Sequence, residues 1–194
     1  MKEKPSYDIP CVILCGGKSS RMGEDKALLP FASYSTLVQY QYERLKPYFK
    51  NIYLSSKVNK FDFIEDETSI IYDSGEVHSP LVALKSILEA VPSKNVFILT
   101  VDTPFIKPVT IGKLIDASNG NDITVAKTLK LHNLCGVFNK SCLYEIDKMI
   151  AKDFHKIGAL LDNLKTEVVT FNDDNEFLNL NKKSDYEKAL FIIS

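Results

Sequence analysis

The sequence predicts an α/β fold, a mostly parallel sheet with helices on both faces, and three observations carry that expectation. Short runs such as residues 11–15 are apolar throughout, which is how a strand buried on both faces of a parallel sheet reads. Such runs alternate with segments of helical periodicity, and strands that alternate with helices demand crossover connections, which in their usual right-handed form wind helices onto both faces of one sheet. At 194 residues, 45% hydrophobic and 25% charged, with no internal repeat or low-complexity tract, the chain has the size and balance of one globular domain spanning residues 1–194.

The first strand is Cys11-Val12-Ile13-Leu14-Cys15, stopped by Gly16-Gly17. Val38, Tyr42, Leu45 and Phe49 then recur at helical spacing, although Pro47 disfavours helix at Lys46 and ends or kinks the element there. A second strand is expected over Ile52-Tyr53-Leu54-Ser55-Ser56, and a shorter one over Ile70-Ile71-Tyr72. Ser79 reads as an N-cap with Pro80 at the first helical position; Leu81, Leu84, Leu88 and Val91 form one apolar face, and Pro92 ends the helix. Residues 96–101 form the next strand and 123–126 a shorter companion. Further helices are expected from Pro108 to about Ala117, from Ser141 to about Ile150, and over Ile157, Leu160, Leu161 and Leu164. A last helix follows Asn179-Leu180-Asn181, with Ser184 and Glu187 as its capping box. The whole is Rossmann-like, so Gly16-Gly17, Ser55-Ser56, Asp73 and Asp102, each just after a strand, converge on one crevice beyond the carboxyl ends of the strands.

Charge and cysteine content exclude several classes. Lys+Arg 24 against Asp+Glu 25 leaves a formal net charge of -1, so no overall basic field favours a nucleic-acid backbone. Residues 1–5 carry charge but lead into no apolar stretch of signal-peptide type, and no run approaches bilayer-spanning length; a cytoplasmic protein without a membrane partner is expected. Cys11, Cys15, Cys135 and Cys142 lack paired C-x-x-C spacing and read as reduced thiols. Three scattered histidines make no metal cluster, and no serine or cysteine nucleophile is paired with a base.

The strongest signal is the segment from Leu14 to Lys26, which places three glycines and three cations in one turn region after a buried strand. Glycines let a backbone approach polyphosphate with its N–H groups exposed, while Arg21 and Lys26 neutralise phosphate charge. The loop is neither a Walker A sequence nor the G-x-G-x-x-G dinucleotide fingerprint. A solvated turn is the plain alternative. Asp102, after the run 96–101 and before Thr103-Pro104, is a carboxylate placed to bind Mg²⁺ with substrate phosphates, unless it is a capping or turn residue. Asp73 faces the same choice between nucleotide contact and turn.

The pattern Leu-x-Gly-Gly-x-Ser-x-Arg-Met-Gly-x-Asp-Lys, residues 14–26, resembles the signature loop of the molybdenum cofactor guanylyltransferases. Asp73, Ser79-Pro80-Leu81, Asp102-Thr103-Pro104-Phe105, residues 132–138 and Phe177-Leu178-Asn179-Leu180-Asn181 follow in the family's order. The resemblance implies a Mg²⁺-dependent nucleotidyltransferase that moves GMP from GTP to the terminal phosphate of molybdopterin, releasing pyrophosphate. It implies nucleotide binding by Leu14, Cys15, Gly16, Gly17, Lys26, Ser55, Asp73 and Asp102, catalysis by Arg21, Lys26 and Asp102, and Asp102 as the metal ligand. Asn179 and Asn181, bracketing Leu180 at strand spacing, stand beside the reaction centre in that family; Asn181 also suits an N-cap. Lys156, with His155 at a helix start, suits the acceptor's phosphate or is merely solvated. Transient contact with other molybdenum cofactor proteins is a further implication. One departure stands out: Ser79-Pro80-Leu81-Val82-Ala83 replaces the family's Gly-Pro-Leu-x-Gly, which leaves base preference open between guanine and cytosine. A cytidylyl- or sugar-phosphate nucleotidyltransferase and a non-catalytic nucleotide-binding module are the remaining readings.

Overall fold

The computed structural model describes residues 6–16, 25–73 and 79–193. The first strand, β1 (Cys11–Leu14), leads through a 3₁₀ turn at Lys26–Leu28 to α1 (Leu37–Leu45) and β2 (Ile52–Ser56). The chain continues through β3 (Ile70–Tyr72), α2 (Pro80–Ala90), β4 (Asn95–Thr100), α3 (Pro108–Asp116), β5 (Ile123–Lys127) and β6 (Leu131–Asn139). It closes with α4 (Cys142–Ala151), α5 (Ile157–Asn163), β7 (Thr166–Thr170) and α6 (Lys183–Ile193).

All seven strands join one sheet in the order β3-β2-β1-β4-β6-β5-β7. The pairs β1/β2, β1/β4, β2/β3 and β5/β7 are parallel; β6 alone runs antiparallel to both its neighbours. Successive residues of β1 point to opposite faces, and each face has its own core. Cys11 and Ile13 pack with Leu37, Val38 and Leu45 of α1, Ile111 and Leu114 of α3 and Ala189 of α6. Val12 and Leu14 pack with Leu81, Leu84 and Leu88 of α2, Ile146 and Met149 of α4 and Leu160 of α5. Burying such side chains contributes roughly 1.5–3 kcal/mol each, which explains why the apolar runs became the central strands.

The expected strands and helices are all present, but β6 and β7 were not anticipated. β6 carries His132, Asn133, Gly136 and Asn139, a composition that breaks the apolar pattern although the strand lies inside the sheet. At Gly136 the neighbouring strand approaches so closely that a Cβ would stand 1.9 Å from the Thr124 carbonyl oxygen, beside a register shift between Val125 and Ala126. β7 is an edge strand, mostly exposed, and therefore free of any apolar requirement.

Helix ends follow the local chemistry, with two corrections. Ser79 is extended and its side chain accepts from Leu81 N at 3.2 Å, so the expected cap holds, and its φ of -134° is one that any residue adopts. The serine in place of the family's glycine therefore adds no backbone strain. The capping box of α6 is different from the expected one: Ser184 lies inside the helix, and the Asp185 carboxylate accepts from Asn181 N and Lys182 N at 3.0 and 2.9 Å. On α1 the buried positions are Leu37, Val38, Gln41 and Leu45, whereas Tyr42 is only partly buried and Phe49 lies beyond the helix end before Pro47.

Candidate active site

The chain builds β1, β2 and β3 outward in one direction and then crosses to place β4 on the other side of β1. The reversal falls between β1 and β4, and the space beyond the carboxyl ends of strands at such a switch point is the usual ligand position in open α/β sheets. Two backbone hydrogen bonds join the strand ends there: Val101 N donates to Leu14 O at 3.0 Å, and Cys15 N donates to Ser55 O at 2.9 Å. Leu14, Cys15 and Ser55 are buried beneath this edge. Burial raises the Cys15 thiol far above its ordinary range, so Cys15 serves as packing rather than as a nucleophile. Gly16 is exposed at the rim, and among the described residues no atom lies within 4 Å of the place its Cβ would occupy. Gly17 and Arg21 lie outside the described residues.

Where the loop returns, Asp25 caps the 3₁₀ turn, its Oδ1 accepting from Ala27 N at 3.0 Å. The turn sets Lys26 facing the end of β4. Its Nζ donates to Asp102 Oδ2 at 3.2 Å and to Asn181 Oδ1 at 3.3 Å, so three residues separated by as many as 155 positions meet in one cluster. Lys26 and Asp102 are both mostly buried, with side chains 20% and 19% exposed, so solvent screens their pairing less than that of a surface pair. The other carboxylate oxygen, Asp102 Oδ1, is buried without a hydrogen-bond partner among the described residues. An ionised carboxylate oxygen left so is costly, and a bound cation is one way to satisfy it. Among the described residues no group of three or more His, Cys, Asp or Glu side chains is placed to hold a metal, and Asp102 offers the one buried carboxylate oxygen without a hydrogen-bond partner. That fits Mg²⁺, which takes one or two carboxylates and fills its octahedron with phosphate oxygens and water.

Asn181 reaches the cluster by a route the sequence did not suggest. Instead of lying in a strand, Asn179, Leu180 and Asn181 make a tight turn in which Asn181 N donates to Asn179 O at 3.0 Å. Leu180 is buried, and its N–H donates to Asp102 O at 2.9 Å, which fastens the turn to the residue it serves. Phe177, ahead of it, stacks on His132 with ring centroids 4.5 Å apart. Asp73 stands partly buried after β3, its N–H donating to Ser56 O at 3.1 Å, on the same sheet edge but two strands from β1. Lys156 is exposed at the start of α5, its ammonium 6.0 Å from the centre of the Phe154 ring, and takes no part in the Lys26 cluster. Lys60, which sequence reading passed over, donates to Cys15 O at 3.2 Å and pairs with Asp25. It thereby links the two described ends of the glycine-rich loop, and nothing in the loop 57–60 marks it in advance.

The pattern of the MobA-like NTP transferase domain family matches residues 11–168. A molybdenum cofactor guanylyltransferase of Campylobacter jejuni is 42% identical over 93% of this chain and 95% of its own length. The chain belongs to the molybdenum cofactor guanylyltransferase family. A Helicobacter pylori member of that family is 31% identical, covering 100% of this chain and 97% of its own. Among solved structures, the molybdopterin-guanine dinucleotide biosynthesis protein A of Archaeoglobus fulgidus superposes with a TM-score of 0.78 over 95% of this chain and 98% of its own, at 19% identity. That likeness is one of fold.

Proposed function

We infer that the protein transfers GMP from GTP to the terminal phosphate of molybdopterin, releasing pyrophosphate and forming molybdopterin guanine dinucleotide. The names of its relatives support the substrates, and the meeting of Lys26, Asp102 and Asn181 at the switch point is the single observation that carries the chemistry. The acceptor's phosphate is already anionic, so in-line attack on the α-phosphorus needs no general base. What it needs is two phosphates held close together and stabilisation of the charge that moves onto pyrophosphate.

Lys26 carries a fixed positive charge to that place, and Asn181 together with Asp102 holds its ammonium in position. Asp102 Oδ1 is the oxygen that would hold Mg²⁺, which when bound polarises the transferring phosphoryl group as a Lewis acid. The backbone around Leu14, Cys15 and Gly16, with Gly17 and Arg21 beyond the described residues, is the cradle for the triphosphate. Ser55 and Asp73 lie along the edge that extends toward ribose and base. Asn179, Asn181 and Lys156 are the residues assigned to the acceptor, a reading supported by the contact of Asn181 with Lys26. Such a reaction belongs in the cytoplasm, and none of the described helices is long and apolar enough to cross a membrane.

The test is pyrophosphate release by the purified chain with Mg²⁺, molybdopterin and each nucleoside triphosphate in turn. GTP should support turnover and raise the melting temperature more than CTP does. Preference for CTP would reassign the chain as a cytidylyltransferase. Binding without release would make it a nucleotide-binding module.

A further inference from the structure

Gln41 stands on the apolar face of α1, between Val38 and Leu45, and is wholly buried. A buried primary amide must find partners for two donors and an acceptor, and the partners Gln41 finds lie around Asp102. Its Nε2 donates to Thr103 O at 2.9 Å and to Val101 O at 3.4 Å, the carbonyls immediately after and before Asp102. Its Oε1 accepts from Nε and Nη2 of Arg44, one turn along the helix, at 3.2 and 2.5 Å, and Arg44 Nη1 donates to Ile106 O at 2.5 Å. Asp102's own carbonyl is taken by Leu180 N at 2.9 Å, and Val101 N is bonded to Leu14 O. Three successive carbonyls at the end of β4 are therefore held from two sides.

We propose that Gln41 is a positioning residue for Asp102, its amide clamping the two flanking carbonyls so that the carboxylate is presented to metal and to Lys26 in one orientation. The role rests on the reading of Asp102 as the metal-binding carboxylate. Only a neutral amide meets the requirement at this site, because it offers donors to the carbonyls and an acceptor to the guanidinium at once. Leu14 O, Leu180 N and Thr100 O hold other groups of the turn, but among the described residues the Gln41 amide is what ties the carbonyls on either side of Asp102 to one point. Partners that orient a metal-binding side chain commonly matter about 10–100-fold in metal affinity or activity.

Gln41→Met keeps the length and apolar bulk but removes both polar functions. In protein shown to be folded by circular dichroism, turnover should fall by about tenfold or more and half-saturating Mg²⁺ should rise by a similar factor, while the KM for GTP stays within about twofold. Direct binding of Mn²⁺, followed by electron paramagnetic resonance in the presence of a non-hydrolysable GTP analogue, should weaken in parallel. Arg44→Lys leaves the Gln41 amide in place but removes the guanidinium fork that orients it, and should shift both readouts in the same direction by less. Turnover and Mn²⁺ affinity within about twofold of wild type in folded Gln41→Met would overturn the proposal; should that variant not fold, wild-type values in Arg44→Lys would overturn it instead. Wild-type protein that lacks Mg²⁺-dependent turnover would refute the proposed function itself, a result separable from either outcome.

Discussion

The two oxygens of Asp102 are in different states: Oδ2 accepts from Lys26, and Oδ1 is buried and unpaired among the described residues. Lys26 divides its ammonium between that carboxylate and the Asn181 amide. A cation held by neighbours on two elements is preorganised, and preorganised charge is what stabilises a transferring phosphoryl group without reorganisation cost. Lys26→Ala should therefore lower turnover by about 10²–10³-fold. Loss of one partly exposed ion pair should move the melting temperature by no more than about 4 °C in a chain of this size. Thermal denaturation and pyrophosphate release measured on the same preparation would show whether the two effects separate; a loss of activity matched by a loss of folded protein would count against a catalytic lysine.

The elements show why these side chains meet. β1 and β4 bring Leu14 and Asp102 to one edge, the 3₁₀ turn capped by Asp25 faces Lys26 toward them, and the turn at residues 179–181 is fastened by Leu180 N to Asp102 O. The arrangement requires the sheet to keep its register where β5 and β6 approach at Gly136. Gly136→Ala would drive a methyl group into the Thr124 carbonyl, and since backbone must move to admit it, the expected cost is about 3 kcal/mol or more, read as a lower denaturation midpoint in urea. A midpoint equal to wild type would mean that β5 and β6 separate there easily. His132, on the same strand, adds a dependence on pH. Burial, and then the charge of Lys130, lower its pKa from the ordinary value of 6.5, so the folded state keeps it neutral. The unfolded chain binds the proton first as pH falls below about 6.5, and the stability His132 contributes is lost as pH passes down through its folded pKa. The melting temperature should drop between pH 7.5 and 5.0 by more in wild type than in His132→Gln. Equal drops would show that His132 does not govern it.

At the scale of the whole molecule, the parts legible in the sequence were those under a local constraint. Residues 11–15 and 96–101 announced buried strands because nearly all their side chains are apolar and buried in the sheet, and Ser79-Pro80 announced a helix start because the cap is a local hydrogen bond. β6 was not legible: His132, Asn133 and Asn139 interrupt its apolar pattern, and its Gly136 answers to a neighbouring strand. β7, exposed at the sheet edge, carries no apolar pattern to detect. The site divides in the same way. Gly16, Lys26 and Asp102 belong to a recognisable loop and strand end, but the bond from Lys26 to Asn181 spans 155 positions and depends on the turn around Leu180. Lys60 had no signal of its own. Gln41 did have one, a lone amide on the apolar face of a helix, where the period of the pattern would place a hydrophobic residue.

The central claim is that Asp102 serves the chemistry and not the fold, and Asp102→Asn separates the two. The amide keeps the volume and one oxygen acceptor for Lys26 but removes the charge that a divalent cation requires. The measurement is Mg²⁺-dependent pyrophosphate release from GTP and molybdopterin by this variant, alongside its thermal stabilisation by GTP. The account predicts release lower by orders of magnitude, with folding intact and GTP still raising the melting temperature. Near-normal Mg²⁺-dependent turnover, or a chain that no longer folds, would contradict it and leave Asp102 as a structural turn residue at the end of β4.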